Sequence, residues 1–248
     1  MANLDNQPAR FGATAAGAVG AIDEGLRAHM LRVYNYLGIG LALTGAVAWA
    51  VANTSFGTIF FDFTENGMGL TALGWVAFLA PLALVFVFSF GMQRMSFGTA
   101  QLVFWVYAAL MGVSLAPILL IYTGASVARV FFVSAAMFGA MSLYGYTTKR
   151  DLTQWGSLLF MGLIGIVLAS VVNLFLGSPG LSFAISVIGV IVFVGLTAYD
   201  TQKIKEMYVV SDDGSIAGKK AIMGALQLYL DFINLFVMLL QLFGNRRD

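Results

Sequence analysis

Two acidic residues in otherwise apolar stretches are the side chains best placed to do chemistry. Asp231 lies about ten residues into AIMGALQLYLDFINLFVMLLQLF (221–243), and Asp200 sits at the apolar boundary of IVFVGLTAYDTQKIKEM (191–207). Each stretch is long enough to cross a bilayer as a helix. At 3.6 residues per turn, Gln227, Asp231, Asn234 and Gln241 fall within an arc of about 80°. A carboxylate in mid-span is costly against lipid, so that stripe must face protein or a water-filled cavity. Ser186, Phe193, Thr197 and Asp200 share a face of the preceding helix. Antiparallel helices joined by one loop are neighbours by default, which would bring Asp200 towards Asp231. Two carboxylates that close cannot both ionise without mutual repulsion. Such a pair would repel itself or hold a cation when deprotonated, and form a hydrogen-bonded latch when protonated. Hard cations such as calcium take oxygen ligands, which makes Asp200 and Asp231 a weak calcium and proton site, with no tightly bound cofactor expected. Gln227 and Asn234 would support the pair or bond between helices. Arg94 would reach it by snorkelling or serve as a topological anchor.

The rest of the chain explains how these residues are carried. Of 248 residues, 60% are apolar and 10% are charged, against about 25% charged in soluble domains. A net charge of +1 provides no field for nucleic acid. Cysteine is absent and His29 is the sole histidine, which excludes disulfides, thiol chemistry and a clustered histidine metal site. No Ser-His-Asp arrangement or metalloprotease motif is present, and the chain does not read as an enzyme.

The expected architecture is all-α: an integral membrane protein with seven spans at about 34–52, 71–91, 99–122, 128–146, 154–176, 181–199 and 221–243. Residues 1–33 read as a cytoplasmic tail, loose to about 20, with a short interfacial helix at 21–33. Residues 34–248 read as one membrane domain. His29 is expected at the surface or the interface. The 53–70 segment, with Asp62 and Glu65, reads as a loop, and Pro81 as a kink. Asp151 or Thr153 caps the fifth helix. SDDGS at 211–215 lacks calcium-loop spacing and reads as a solvated turn. Gly156, Gly162, Gly165 and Ala169 suggest close helix packing.

Orientation follows from the basic residues. With the N-terminus cytoplasmic, that side receives Arg10, Arg27, Arg32, Arg94, Lys149, Arg150, Lys203, Lys205, Lys219 and Lys220. The opposite side receives Arg129, Arg246 and Arg247. The last pair dissents, because a cytoplasmic C-terminus would make the seventh segment re-entrant. A full span is expected.

Three stretches carry a family resemblance: SLYGYTTKRDLTQWGSLLFMGLIG (142–165), FVGLTAYDTQKIKEMY (193–208) and KKAIMGALQLYLDFINLF (219–236). The chain resembles a bacterial member of the Bax inhibitor-1 family, the transmembrane BAX inhibitor motif proteins. The resemblance implies six helices around a central polar seventh. It also implies a pH-sensitive calcium leak of the inner membrane, governed by two aspartates. These fall on Asp200 in YDTQKI and Asp231 in LYLDFINLF. Some bacterial relatives latch the pair with an arginine at the cytoplasmic end of the second helix, where Arg94 is the nearest candidate. Another branch resembles a partner that modulates an ATP-dependent membrane protease. A proton-coupled cation exchanger is a third alternative. The expected partners are therefore calcium, protons and the lipid bilayer, with a membrane protease under the second reading.

Overall fold

The computed structural model describes residues 8–64, 67–92 and 94–247, with side chains excluded at 8–23 and 63–68. Glu65 and residues 1–7 of the expected tail lie outside the described residues. Among the described residues, seven α-helices are long and apolar enough to cross a membrane. They are α1 (Pro8–Asn53), α2 (Ala72–Gly91), α3 (Phe97–Ile121), α4 (Gly124–Thr147), α5 (Thr153–Leu176), α6 (Pro179–Glu206) and α7 (Gly214–Phe243). α1 runs unbroken through residue 33, where the sequence suggested a boundary, and its stretch Glu24–Asn53 is apolar enough to span. The 53–70 segment is more than a loop. It holds a 3₁₀ turn (Ser55–Ile59) and an antiparallel hairpin, β1 (Phe61–Thr64) with β2 (Gly67–Leu70), in the register Phe61 to Leu70.

Local chemistry sets the helix ends. Thr71, Ser96, Thr123, Ser178 and Asp213 each cap a helix by accepting a backbone N–H through the side chain. At α5 the N-cap position falls to Leu152 rather than to Asp151 or Thr153, and the carboxylate of Asp151, one residue before it, accepts the Thr153 N–H at 2.8 Å. The Thr153 side chain, and after it this N–H, hold the exposed Asp151 carboxyl below the ordinary aspartate range. α2 continues through Pro81 to Gly91. Proline leaves the carbonyl four residues earlier without its helical donor, and here the Ser114 hydroxyl of α3 donates to that Ala77 carbonyl at 3.2 Å.

α7 is the most buried of the spans, and it packs against α1, α3, α4 and α6. α2 packs on α3, and α5 on α6. Small residues permit the tightest approaches. A Cβ at Gly145 of α4 would collide with the Ala198 carbonyl of α6, and one at Gly156 of α5 would meet the Tyr199 ring at 2.5 Å. Gly162 likewise abuts Val192, whereas Gly165 faces open space.

Both ends of α7 are tied down. Near its start, Lys219 Nζ donates to the Met95 carbonyl in the α2–α3 turn at 3.3 Å. Past its end, residues 244–247 pair along the α3–α4 connection. Thr123 N–H donates to Asn245 O at 3.0 Å, and Arg247 N–H donates to Ile121 O at 2.8 Å. Arg247 Nε also donates to Tyr122 O at 3.2 Å. α7 therefore runs from one end of α3 to the other. It is a full span, and Arg246 and Arg247 emerge opposite the α2–α3 turn.

Candidate functional site

The sequence DTQK at 200–203 assigns four consecutive side chains to different neighbours, because each step around a helix turns about 100°. Thr201 is fully buried; its hydroxyl donates to Thr197 O at 2.7 Å and lies 3.0 Å from Ser142 Oγ on α4. Ser142 in turn lies 2.6 Å from the Tyr34 hydroxyl of α1. Gln202 clamps the α4–α5 turn: its Oε1 accepts the Leu152 N–H at 2.8 Å and its Nε2 donates to Arg150 O at 2.8 Å. These braces fix the rotation of α6 about its axis. Asp200 and Lys203 are thereby left on the side that faces α5 and α7.

A cleft of about 520 Å³ opens there, lined by Ser157, Phe160 and Leu163 of α5, by Asp200 and Lys203 of α6, and by Gln227, Asp231 and Asn234 of α7. The carboxyl groups of Asp200 and Asp231 lie within hydrogen-bonding reach of each other. Asp231 is 4% exposed, and its Oδ2 has no hydrogen-bond partner. Gln227 Oε1 is likewise buried without a partner. Asn234 spends its Nδ2 on the Leu230 carbonyl at 2.8 Å, which leaves its side-chain oxygen without that constraint. Buried polar atoms are nearly always satisfied, so these oxygens call for a donor: a proton shared between the carboxyl groups, a water or a cation would each serve. The donor set is all oxygen, which suits a hard cation.

Four of the six residues singled out in the sequence therefore converge: Asp200, Asp231, Gln227 and Asn234. Gln241 accepts from Ser186 Oγ at 2.8 Å and links α6 to α7 away from the cleft. Arg94 is exposed in the α2–α3 turn and does not line the cleft. The cation that does line it is Lys203, three residues after Asp200 and so on the same helix face. Its ammonium also approaches the Tyr199 ring, 5.9 Å from the centroid. The i, i+3 spacing of Asp200 and Lys203 was the available signal.

His29 also departs from expectation. It is 6% exposed, packs 5.9 Å from the Tyr208 ring and reaches the Ile204 backbone, while its Nε2 has no partner. In the 211–215 turn, Asp213 caps α7 and Asp212 pairs with Lys220 at 2.6 Å. Among the described residues, no group of three or more His, Cys, Asp or Glu is placed to hold a metal.

The fold and cleft define a polytopic helical membrane protein with a buried dicarboxylate. The family described as "Inhibitor of apoptosis-promoting Bax1" matches residues 26–248, and the chain belongs to this Bax inhibitor-1 family. It is 53% identical to the inner membrane protein YbhL of Escherichia coli K12 over 90% of this chain and 94% of that one. It is 52% identical to RP147 of Rickettsia prowazekii, covering 91% and 93% of the two chains. A membrane protein of Streptococcus pyogenes, SpyM3_0260, is 39% identical over 90% and 95%. The chain is a multi-pass protein of the bacterial inner membrane.

Proposed function

We propose that this protein is a pH-sensitive calcium leak channel of the inner membrane, gated by Asp200 and Asp231. The supporting observation is the cleft itself, where two carboxyl groups in mutual reach adjoin orphaned oxygens of Asp231 and Gln227. In this reading α7 is the central polar helix of the bundle, with the other six around it, and the N-terminus is cytoplasmic. Calcium binds weakly at the pair, with Gln227 and Asn234 as flanking oxygen donors. Carboxylates only accept hydrogen bonds, so a bond between Asp200 and Asp231 needs a proton on one of them. At low pH that shared proton latches α6 to α7. At high pH both groups ionise, repel, and admit a cation between them, so flux rises with pH. Lys203, rather than Arg94, is the basic residue that competes with the entering cation.

The test is calcium flux into liposomes at several pH values, comparing wild type with Asp200→Asn and Asp231→Asn at matched incorporation. The expected result is a saturable flux that rises with pH and becomes flat with pH in both variants. No flux above empty liposomes from folded, inserted protein rejects the conduit; the role of modulating a membrane protease then takes its place. Flux against a gradient would identify a proton-coupled exchanger instead.

A further inference from the structure

We propose that the groove between α4 and α5 is a binding site for one phospholipid with an anionic headgroup, held at its mouth by Arg150 and Lys149. Consecutive antiparallel helices joined by a five-residue turn ordinarily pack on each other. α4 and α5 instead both pack on α6. The reason lies in the glycines: Gly145 brings α4 against Ala198, and Gly156 brings α5 against Tyr199, on either side of the α6 ridge.

The gap left between them is a cavity of about 620 Å³, within the usual range for a small-molecule site. Away from the turn its lining is apolar, with Met141, Leu159 and Gly195 beside the exposed Ile191, and matches an acyl chain. Its mouth is polar and lies at the α4–α5 turn. Arg150, Asp151 and Gln154 sit there, with Tyr144 and Trp155 43% and 59% exposed, as aromatic side chains are at a headgroup boundary.

The charges at the mouth select the headgroup. Asp151 is already committed to the α5 N-terminus through the Thr153 N–H. Arg150 and Lys149 are exposed, and among the described residues neither has a carboxylate within ion-pair distance. The turn that carries them is held in place by Gln202, which bonds the backbone of Arg150 and of Leu152. Arg150 at the mouth, with Lys149 beside it in the turn, gives the apolar slot a cationic rim that recognises a phosphate bearing a net negative charge. A zwitterionic headgroup gains much less there.

The probe is an equimolar mixture of phosphatidylglycerol and phosphatidylcholine in nanodiscs holding the full chain, with retained lipid identified by native mass spectrometry. Wild type should keep one phospholipid, with phosphatidylglycerol in excess. A basic residue near an anionic surface contributes about fivefold, so Arg150→Gln and Lys149→Gln should each reduce the excess by about that factor. Arg129→Gln, which removes an exposed arginine at the other end of α4, should leave it unchanged. Retention without headgroup preference, or a preference that the two mouth variants do not alter, overturns the site. So does an equal loss in Arg129→Gln, because the effect would then be one of net charge. None of these outcomes depends on calcium flux.

Discussion

α5 and α7 are both apolar helices of membrane-spanning length, yet they occupy opposite environments. In the most apolar stretch of α5, 6% of the residues are buried inside the protein; in that of α7, 72% are. The ordering is the reverse of a soluble protein, because α5 is the more apolar of the two. Lipid tails solvate Leu, Val and Phe as well as a protein core does, so apolar side chains need no shelter. Polar ones do. Gln227, Asp231 and Asn234 draw α7 inward, while α5 keeps its apolar side chains towards lipid and meets the bundle through glycines. The cleft forms where these two kinds of helix face each other across α6.

The contrast can be broken or sharpened by substitution. Leu228 and Leu235 of α7 are fully buried, so Leu→Ala at either should cost about 2–5 kcal/mol in reversible unfolding in detergent micelles. Leu168→Ala and Leu174→Ala on α5, where the side chains are 61% and 82% exposed, should change stability by less than about 0.5 kcal/mol. Equal costs on the two helices would remove the distinction. Tyr229→Phe tests the polar content of α7 directly. It deletes a hydroxyl 2.6 Å from Thr44 Oγ1, and about 0.6–1.7 kcal/mol should be lost in the same assay.

Two smaller effects probe the cleft and its rim. Lys203→Gln removes the cation facing Asp200, and calcium flux at fixed pH should rise by up to about fivefold, the scale of a partly exposed charge pair. Arg94→Gln should leave flux unchanged. The smallest effect concerns Asp151. Its carboxyl is held below the ordinary range by the Thr153 side chain and N–H, so it supports the α5 start at neutral pH. As pH falls through that lowered value the carboxylate protonates and the support is lost. Amide exchange at 153–156, corrected for the intrinsic pH dependence, should therefore lose protection on acidification in wild type. Asp151→Asn should show lower protection already at neutral pH.

Much of the site was legible because it lies along single helices. The 3.6-residue period alone places Gln227, Asp231 and Asn234 on one face, and all three line the cleft. The misreadings involve contacts between elements. Arg94 has the right charge at the end of a span, but α2 packs on α3 and the arginine side chain does not line the cleft. His29 lies in a polar stretch of sequence, yet Tyr208 and Ile204, more than 170 positions away, cover it. The hairpin at 61–70 carries a short apolar–polar alternation in FDFT followed by the turn pair Asn66-Gly67, a signal too brief to stand out between two long apolar helices.

What the sequence by itself determined is therefore what short-range physics determines: seven apolar lengths, their caps, and one helix too polar to face lipid. The tertiary structure alone decided that Asp200 meets Asp231, that Lys203 shares their cleft, and that α4 and α5 stand apart. Those outcomes depend on how far each helix is rotated about its own axis. That rotation is fixed by contacts between distant residues, such as Gln202 on the α4–α5 turn and Gly145 on Ala198, which no local pattern encodes.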